Sequence, residues 1–132
     1  MPKVIIRDGT RPGEGNCLSF DLAQVLASLG PRARTSSWSC HDLWFVTCDE
    51  QDVPELEQES DASQFLSGED LLAATERLLQ VIDGEFAAFD GDESVPWVIL
   101  RAVDSTFWEV ESTEPGVLEA VSASFKDVEE IL

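Results

Sequence analysis

Several residue types are scarce in this chain, and each scarcity removes a class of function. Bases number 8 against 27 acids, a formal net charge of −19. A surface that anionic repels phosphate backbones, which excludes a nucleic-acid binder. Cysteine occurs three times, at Cys17, Cys40 and Cys48. An odd set with no close pair is not the disulfide framework of a small secreted domain, and it points to a reducing, cytoplasmic setting. No apolar run approaches the ~20 residues that cross a bilayer, so no membrane association is expected. The opening MPKVIIRDGTRPGEG lacks the apolar core of a signal peptide. P-loop, dinucleotide fingerprint and nucleophile elbow are all missing. Lysine occurs only as Lys3 and Lys126 beside six arginines, a balance that fits a salt-rich or GC-rich source. On that reading the acidity serves solubility alone.

What is present describes one ordinary folding unit. The 132 residues are 43% hydrophobic and 27% charged, enough for a single domain over 1–132 with its own core. Charge is unevenly spread. Residues 1–34 hold Lys3, Arg7, Arg11, Arg32 and Arg34 against Asp8, Glu14 and Asp21. All 24 remaining acids follow, densest in DEQDVPELEQESD (49–61), which has seven acids and no base. Runs like this are usually solvated.

Patterning predicts an α+β fold in the order β-α-β-α-β-β-β-α-β. KVIIR (3–7) reads as a strand, since β-branched residues dominate it. Asn16 is a candidate N-cap for a helix through Ser28, with Leu18, Leu22, Val25 and Leu29 on one face and Gly30-Pro31 as its stop. WSCHDLWFVTC (38–48) reads as a strand, most clearly from Leu43 to Cys48. Ser67 caps a second helix, with Glu69 and Asp70 in its first turn and Leu66 and Leu71 at hydrophobic-staple spacing. Leu71, Leu78 and Ile82 carry this helix on to Gly84 as its C′ residue. EFAAF (85–89) and VPWVILRAV (95–103) follow as strands, the latter apolar on both faces as a strand covered on both sides would be. Asp104-Ser105 makes a hairpin into TFWEVES, where Trp108 and Val110 share one face and Phe107, Glu109 and Glu111 the other. Glu114-Pro115 opens a last helix with Val117, Leu118, Val121 and Phe125 inward, and KDVEEIL ends the chain as a strand. About three helices would cover one face of a single mixed, largely antiparallel sheet.

The stretch PWVILRAVDSTFWEV, a short helix and then SFKDV resembles the C-terminal half of small uncharacterised bacterial domains. In size and acidity the chain is also similar to immunity proteins that neutralise secreted bacterial toxins. Neither resemblance assigns a functional residue.

Cys17 is the strongest catalytic candidate. GEGNCLSFDLA (13–23) sets it at a helix start after a glycine-rich loop, where a thiol's pKa is depressed. GNCL resembles the nucleophile segment of ovarian-tumour-type deubiquitinating cysteine peptidases. That family places its histidine far downstream, whereas here His41 lies 24 residues after Cys17 and none follows. Cys17 with His41, oriented by Asp42 or Asp104, is the enzyme reading; a small apolar residue at a helix start is the plain one.

Other constellations are weaker. Cys17, Cys40, His41 and Cys48 lack the two-to-four-residue ligand spacing of zinc sites, and Cys40 and His41 would face opposite sides of a strand. DGEFAAFDGDE (83–93) fails the calcium-loop pattern and reads as a turn. No metal or cofactor is expected. Arg101, inside an apolar strand, calls for an internal ion pair or a ligand. The four tryptophans fall on expected strands, where core is the default and an exposed one would mark a protein-binding patch. The function expected is therefore a non-enzymatic, immunity- or inhibitor-like module for a basic protein, such as a toxin or a nucleic-acid-binding protein. Its binding residues would be Glu55, Glu57 and Glu59 with Trp44 beside them.

Overall fold

The computed structural model describes residues 2–7, 21–47, 65–76, 78–91, 94–103 and 107–131. Seven strands form one sheet: β1 (Lys3–Ile6), β2 (Ser37–Thr47), β3 (Leu66–Ser67), β4 (Leu78–Phe89), β5 (Val98–Val103), β6 (Phe107–Glu111) and β7 (Val128–Ile131). Four helices accompany them: α1 (Leu22–Ser28), α2 (Arg32–Thr35), α3 (Gly68–Thr75) and α4 (Pro115–Ser124). The sheet order is β3-β2-β4-β5-β6-β1-β7. Every pairing is antiparallel, including those of the terminal strands β1 and β7. The expected α+β class and strand–helix alternation therefore hold, while among the described residues the sheet is wholly antiparallel rather than mixed and the helices are four rather than about three. The additional pieces are α2 and the two-residue β3, each too short to show a hydrophobic period.

One face of the sheet carries the core. Cross-strand register aligns Val4, Val110, Leu100, Phe86 and Cys40 in one row and Val98, Ala88, Trp38 and Leu66 in another. All of these are buried, together with Leu22, Val25 and Leu26 of α1, Leu71 and Ala74 of α3 and Val121 of α4. Each large side chain so enclosed contributes about 1.5–3 kcal/mol of transfer free energy. Phe86 stacks on Trp108 with ring centroids 6.1 Å apart, adding a dispersion contact at the centre of the sheet.

The opposite face carries no helix among the described residues. In β5 the alternation is buried at Val98, Leu100 and Ala102 but only half-buried at Ile99, Arg101 and Val103, so this strand is not covered on both sides as its composition suggested. β6 behaves as expected, with Trp108 and Val110 inward.

The largest departure is the second helix. Ser67 caps it, its Oγ accepting from the Asp70 N–H at 3.1 Å, and Leu66 and Leu71 are both buried. The helix nevertheless ends at Thr75, and Leu78–Phe89 is one continuous strand. Gly84, expected as a helix C′ residue, lies mid-strand because Leu43 sits over it. A Cβ there would stand 2.6 Å from Leu43 Cδ2. The glycine thus marks a close approach rather than a left-handed cap. Pairing on both edges, with β2 and β5, overrides a helical period that local spacing alone supports. Gly30 does end α1 as expected, with φ +79° and its N–H on the Ala27 carbonyl. The cap at the start of α1 is Asp21, not Asn16, which lies outside the described residues.

Candidate functional site

The far end of β2 presents the main candidate. Cys40 points into the core, and His41 stands opposite Glu85 in β4. The register then slips, and Asp42 takes a positive φ of 54°, the kink of a bulge. Beyond it Leu43 and Phe45 pack against the core. Side chains alternate along a strand, so Trp44 between them points outward, and it is 61% exposed. Among the described residues only Phe65 and Val95 are comparably exposed large hydrophobics.

The other tryptophans are enclosed. Trp38 donates its indole N–H to the Ala33 carbonyl at 2.9 Å, and Trp97 donates to Ser36 Oγ at 2.9 Å. Trp108 is fully buried. Trp44 is therefore the one tryptophan exposed to solvent. Glu55, Glu57, Glu59 and Cys17 lie outside the described residues. The segment 49–61 that holds the three glutamates begins two positions beyond the end of β2, which keeps it near Trp44 along the chain. Cys40 inward and His41 on the other side cannot share a metal ion.

Two arginine centres account for much of the remaining polar structure. On the sheet face opposite the core Arg101 reaches Glu111 at 2.6 Å, Glu85 at 3.5 Å and Glu109 at 3.7 Å. Burial works to lower its pKa, but the Glu111 hydrogen bond and the three carboxylates outweigh it and hold the guanidinium charged. Arg101 is thus internally paired. The second centre, Arg32, had no sequence signal because its partners come from distant segments. It stacks over the Trp97 ring at 4.1 Å, donates from Nε to Asp90 at 2.9 Å and from Nη1 to both oxygens of Glu114 at 2.9 Å. Hydrogen bonding by Arg32 holds the Asp90 carboxyl below its ordinary pKa. Ser36 Oγ donates to Asp90 at 3.1 Å and accepts from Trp97. This cluster ties α2, the β4–β5 connection and the start of α4 together, and is structural in content. Asp90, in the stretch expected as a turn, is engaged here.

Asp21 is the remaining unusual group. Both of its carboxylate oxygens accept the Val81 N–H, at 3.1 and 3.2 Å, while Gln24 accepts the Asp21 backbone N–H at 2.8 Å. Burial raises its pKa to about 6, against the lowering effect of the backbone hydrogen bonds.

No helix among the described residues is long and apolar enough to cross a membrane. Compared with known proteins, the chain matches no family model, no curated protein and no solved structure.

Proposed function

We propose that the protein is a non-enzymatic binding module for a basic protein, immunity- or inhibitor-like, docking through Trp44 and the acidic segment 49–61. The observation that carries this reading is the exposed indole of Trp44 at the bulged end of β2, adjoining a run of seven acids without a base. A chain of net charge −19 presents to a cationic surface what a nucleic acid would present, and steers its approach. A desolvated aromatic then supplies the lasting affinity. On the opposite sheet face Arg101 offsets part of the charge of Glu85, Glu109 and Glu111, so that face carries less unpaired charge than the run 49–61.

The test is affinity capture from cells of the source organism, at low and then high salt, with identification of what is retained. A basic protein retained at low salt, whose association slows in Glu55→Gln/Glu57→Gln/Glu59→Gln and whose dissociation quickens in Trp44→Ala, is expected. Capture unaffected by all four substitutions, or no basic protein retained, overturns the proposal.

A further inference from the structure

A cavity of about 460 Å³ opens where the end of α1, the short α2 and α3 meet, lined by Leu26, Ala27, Gly30, Pro31, Arg34 and Leu72. Its geometry follows from one close contact. Gly68 packs directly on α2, where a Cβ would lie 1.9 Å from the Ala33 carbonyl oxygen and 2.7 Å from Arg34 Cα. The Gly68 N–H donates to the Ser36 carbonyl at 2.9 Å. Leu72, four residues on, shares that face of α3 and so stands beside Arg34. The other wall is α1, whose end at Gly30 has open space where a side chain would be.

Arg34 is the anomaly of this region. Among the described cations Lys3, Arg7, Arg32 and Arg101 are all ion-paired, and Lys126 has an interaction of its own. Arg34 alone has neither an ion pair nor a side-chain hydrogen bond among the described residues. With 27 acids to 8 bases in the chain, a guanidinium with no carboxylate on it among the described residues runs against composition. It is exposed, and its neighbours in the cavity wall are apolar.

We propose that this cavity binds a small amphipathic monocarboxylate, its alkyl chain against Ala27, Pro31 and Leu72 and its carboxylate on Arg34. The volume lies within the ~300–1,000 Å³ of small-molecule sites. One guanidinium matches one planar carboxylate in bidentate fashion, and the net negative charge of the protein disfavours a more highly charged anion. The site is independent of the Trp44 surface and stands whether or not that reading does.

The probe is sodium octanoate, titrated calorimetrically and by amide chemical shifts, with octan-1-ol and octylammonium as comparisons. Octanoate is expected to bind saturably and to shift the Ala27, Arg34 and Leu72 amides, with both comparison ligands at least about tenfold weaker. Arg34→Gln should weaken octanoate about tenfold and leave octan-1-ol unchanged. Ala27→Trp, which fills the cavity from an exposed position, should block both, its fold checked by circular dichroism. Absence of saturable octanoate binding, equal affinity in Arg34→Gln, or shifts confined to another surface would each overturn the proposal.

Discussion

The long β2–β4 ribbon holds a tryptophan towards each end, and the two are treated in opposite ways. Trp38, paired with Ala88, is fully buried; its N–H is satisfied by Ala33, and the Arg32–Trp97–Ser36–Asp90 cluster lies alongside. Trp44, paired with Asp83 beyond the bulge, is mostly in water. Both lie in stretches that read identically as aromatic strand. What separates them is the company that distant segments provide: α2 and the start of β5 close over one end, while the register slip at Asp42 turns the other outward. An aromatic on a strand is thus core or contact surface according to what packs on it, which local sequence does not state.

The sharpest way to break this comparison is to remove each ring. Trp38→Ala leaves a cavity and an unsatisfied Ala33 carbonyl, and should cost about 3–5 kcal/mol in urea unfolding. A loss below about 1 kcal/mol would show that the site collapses without consequence.

Next in size is the pH dependence set by Asp21, the residue that joins α1 to β4. Its folded pKa of about 6 stands above the unfolded 3.8. The folded state therefore binds the proton more tightly, and this contribution to stability is complete below about pH 4 and lost as pH rises through 6. Because the side chain retains some solvent contact, the swing is about 1–2 kcal/mol after screening. Asparagine offers the same acceptor to Val81 without the charge. The stability difference between wild type and Asp21→Asn should move in favour of wild type as pH falls from 7 to 4. A flat difference would mean that the hydrogen bonds accepted from the backbone offset the burial that raises the Asp21 pKa.

The ionic cluster at the enclosed end comes third. Arg32→Gln removes the stacking on Trp97 and leaves Asp90 and Glu114 facing each other without a cation. The side chain is about one-third exposed, so the loss is about 1–2 kcal/mol rather than that of a fully buried pair. Added salt should narrow the gap between variant and wild type, and an unchanged melting temperature would show the cluster to be ornamental.

How far the sequence discloses this arrangement depends on the range of the interactions. β1, β6, α4 and β7 are legible because their alternation or helical period, with Glu114-Pro115 and the tail KDVEEIL, matches what they bury. The second half of the expected helix is not. Leu71 to Ile82 keeps a helical spacing, yet from Leu78 onward the chain is a strand held by β2, 31 to 52 residues back, and from Gly84 also by β5, 10 to 18 residues on. Arg101's need for carboxylates was readable from its apolar strand; the partners were not, except that Glu109 and Glu111 follow in the adjoining hairpin. Arg32 gave no sign at all, since Asp90 and Glu114 lie 58 and 82 residues away. Of the binding residues, Trp44 was legible as an aromatic and its exposure was not, because exposure depends on the bulge at Asp42.

The smallest expected effect sharpens the comparison from its other end. Trp44 is 61% exposed, so its ring buries little on folding and Trp44→Ala should change stability by no more than about 0.5 kcal/mol. The same variant should lose the most readily quenched part of the tryptophan fluorescence, since the other three indoles are buried. Acrylamide quenching of wild type should therefore show one accessible and several protected emitters, and the variant only the protected set. A destabilisation near that of Trp38→Ala would mean that Trp44 is packed in solution by a segment of the chain. Binding would then have to displace that segment first, lowering the apparent affinity by the fraction of molecules in which the ring is free. A neutral variant with accessible wild-type fluorescence would leave the ring ready for a partner without prior rearrangement, so that its removal shows in dissociation alone.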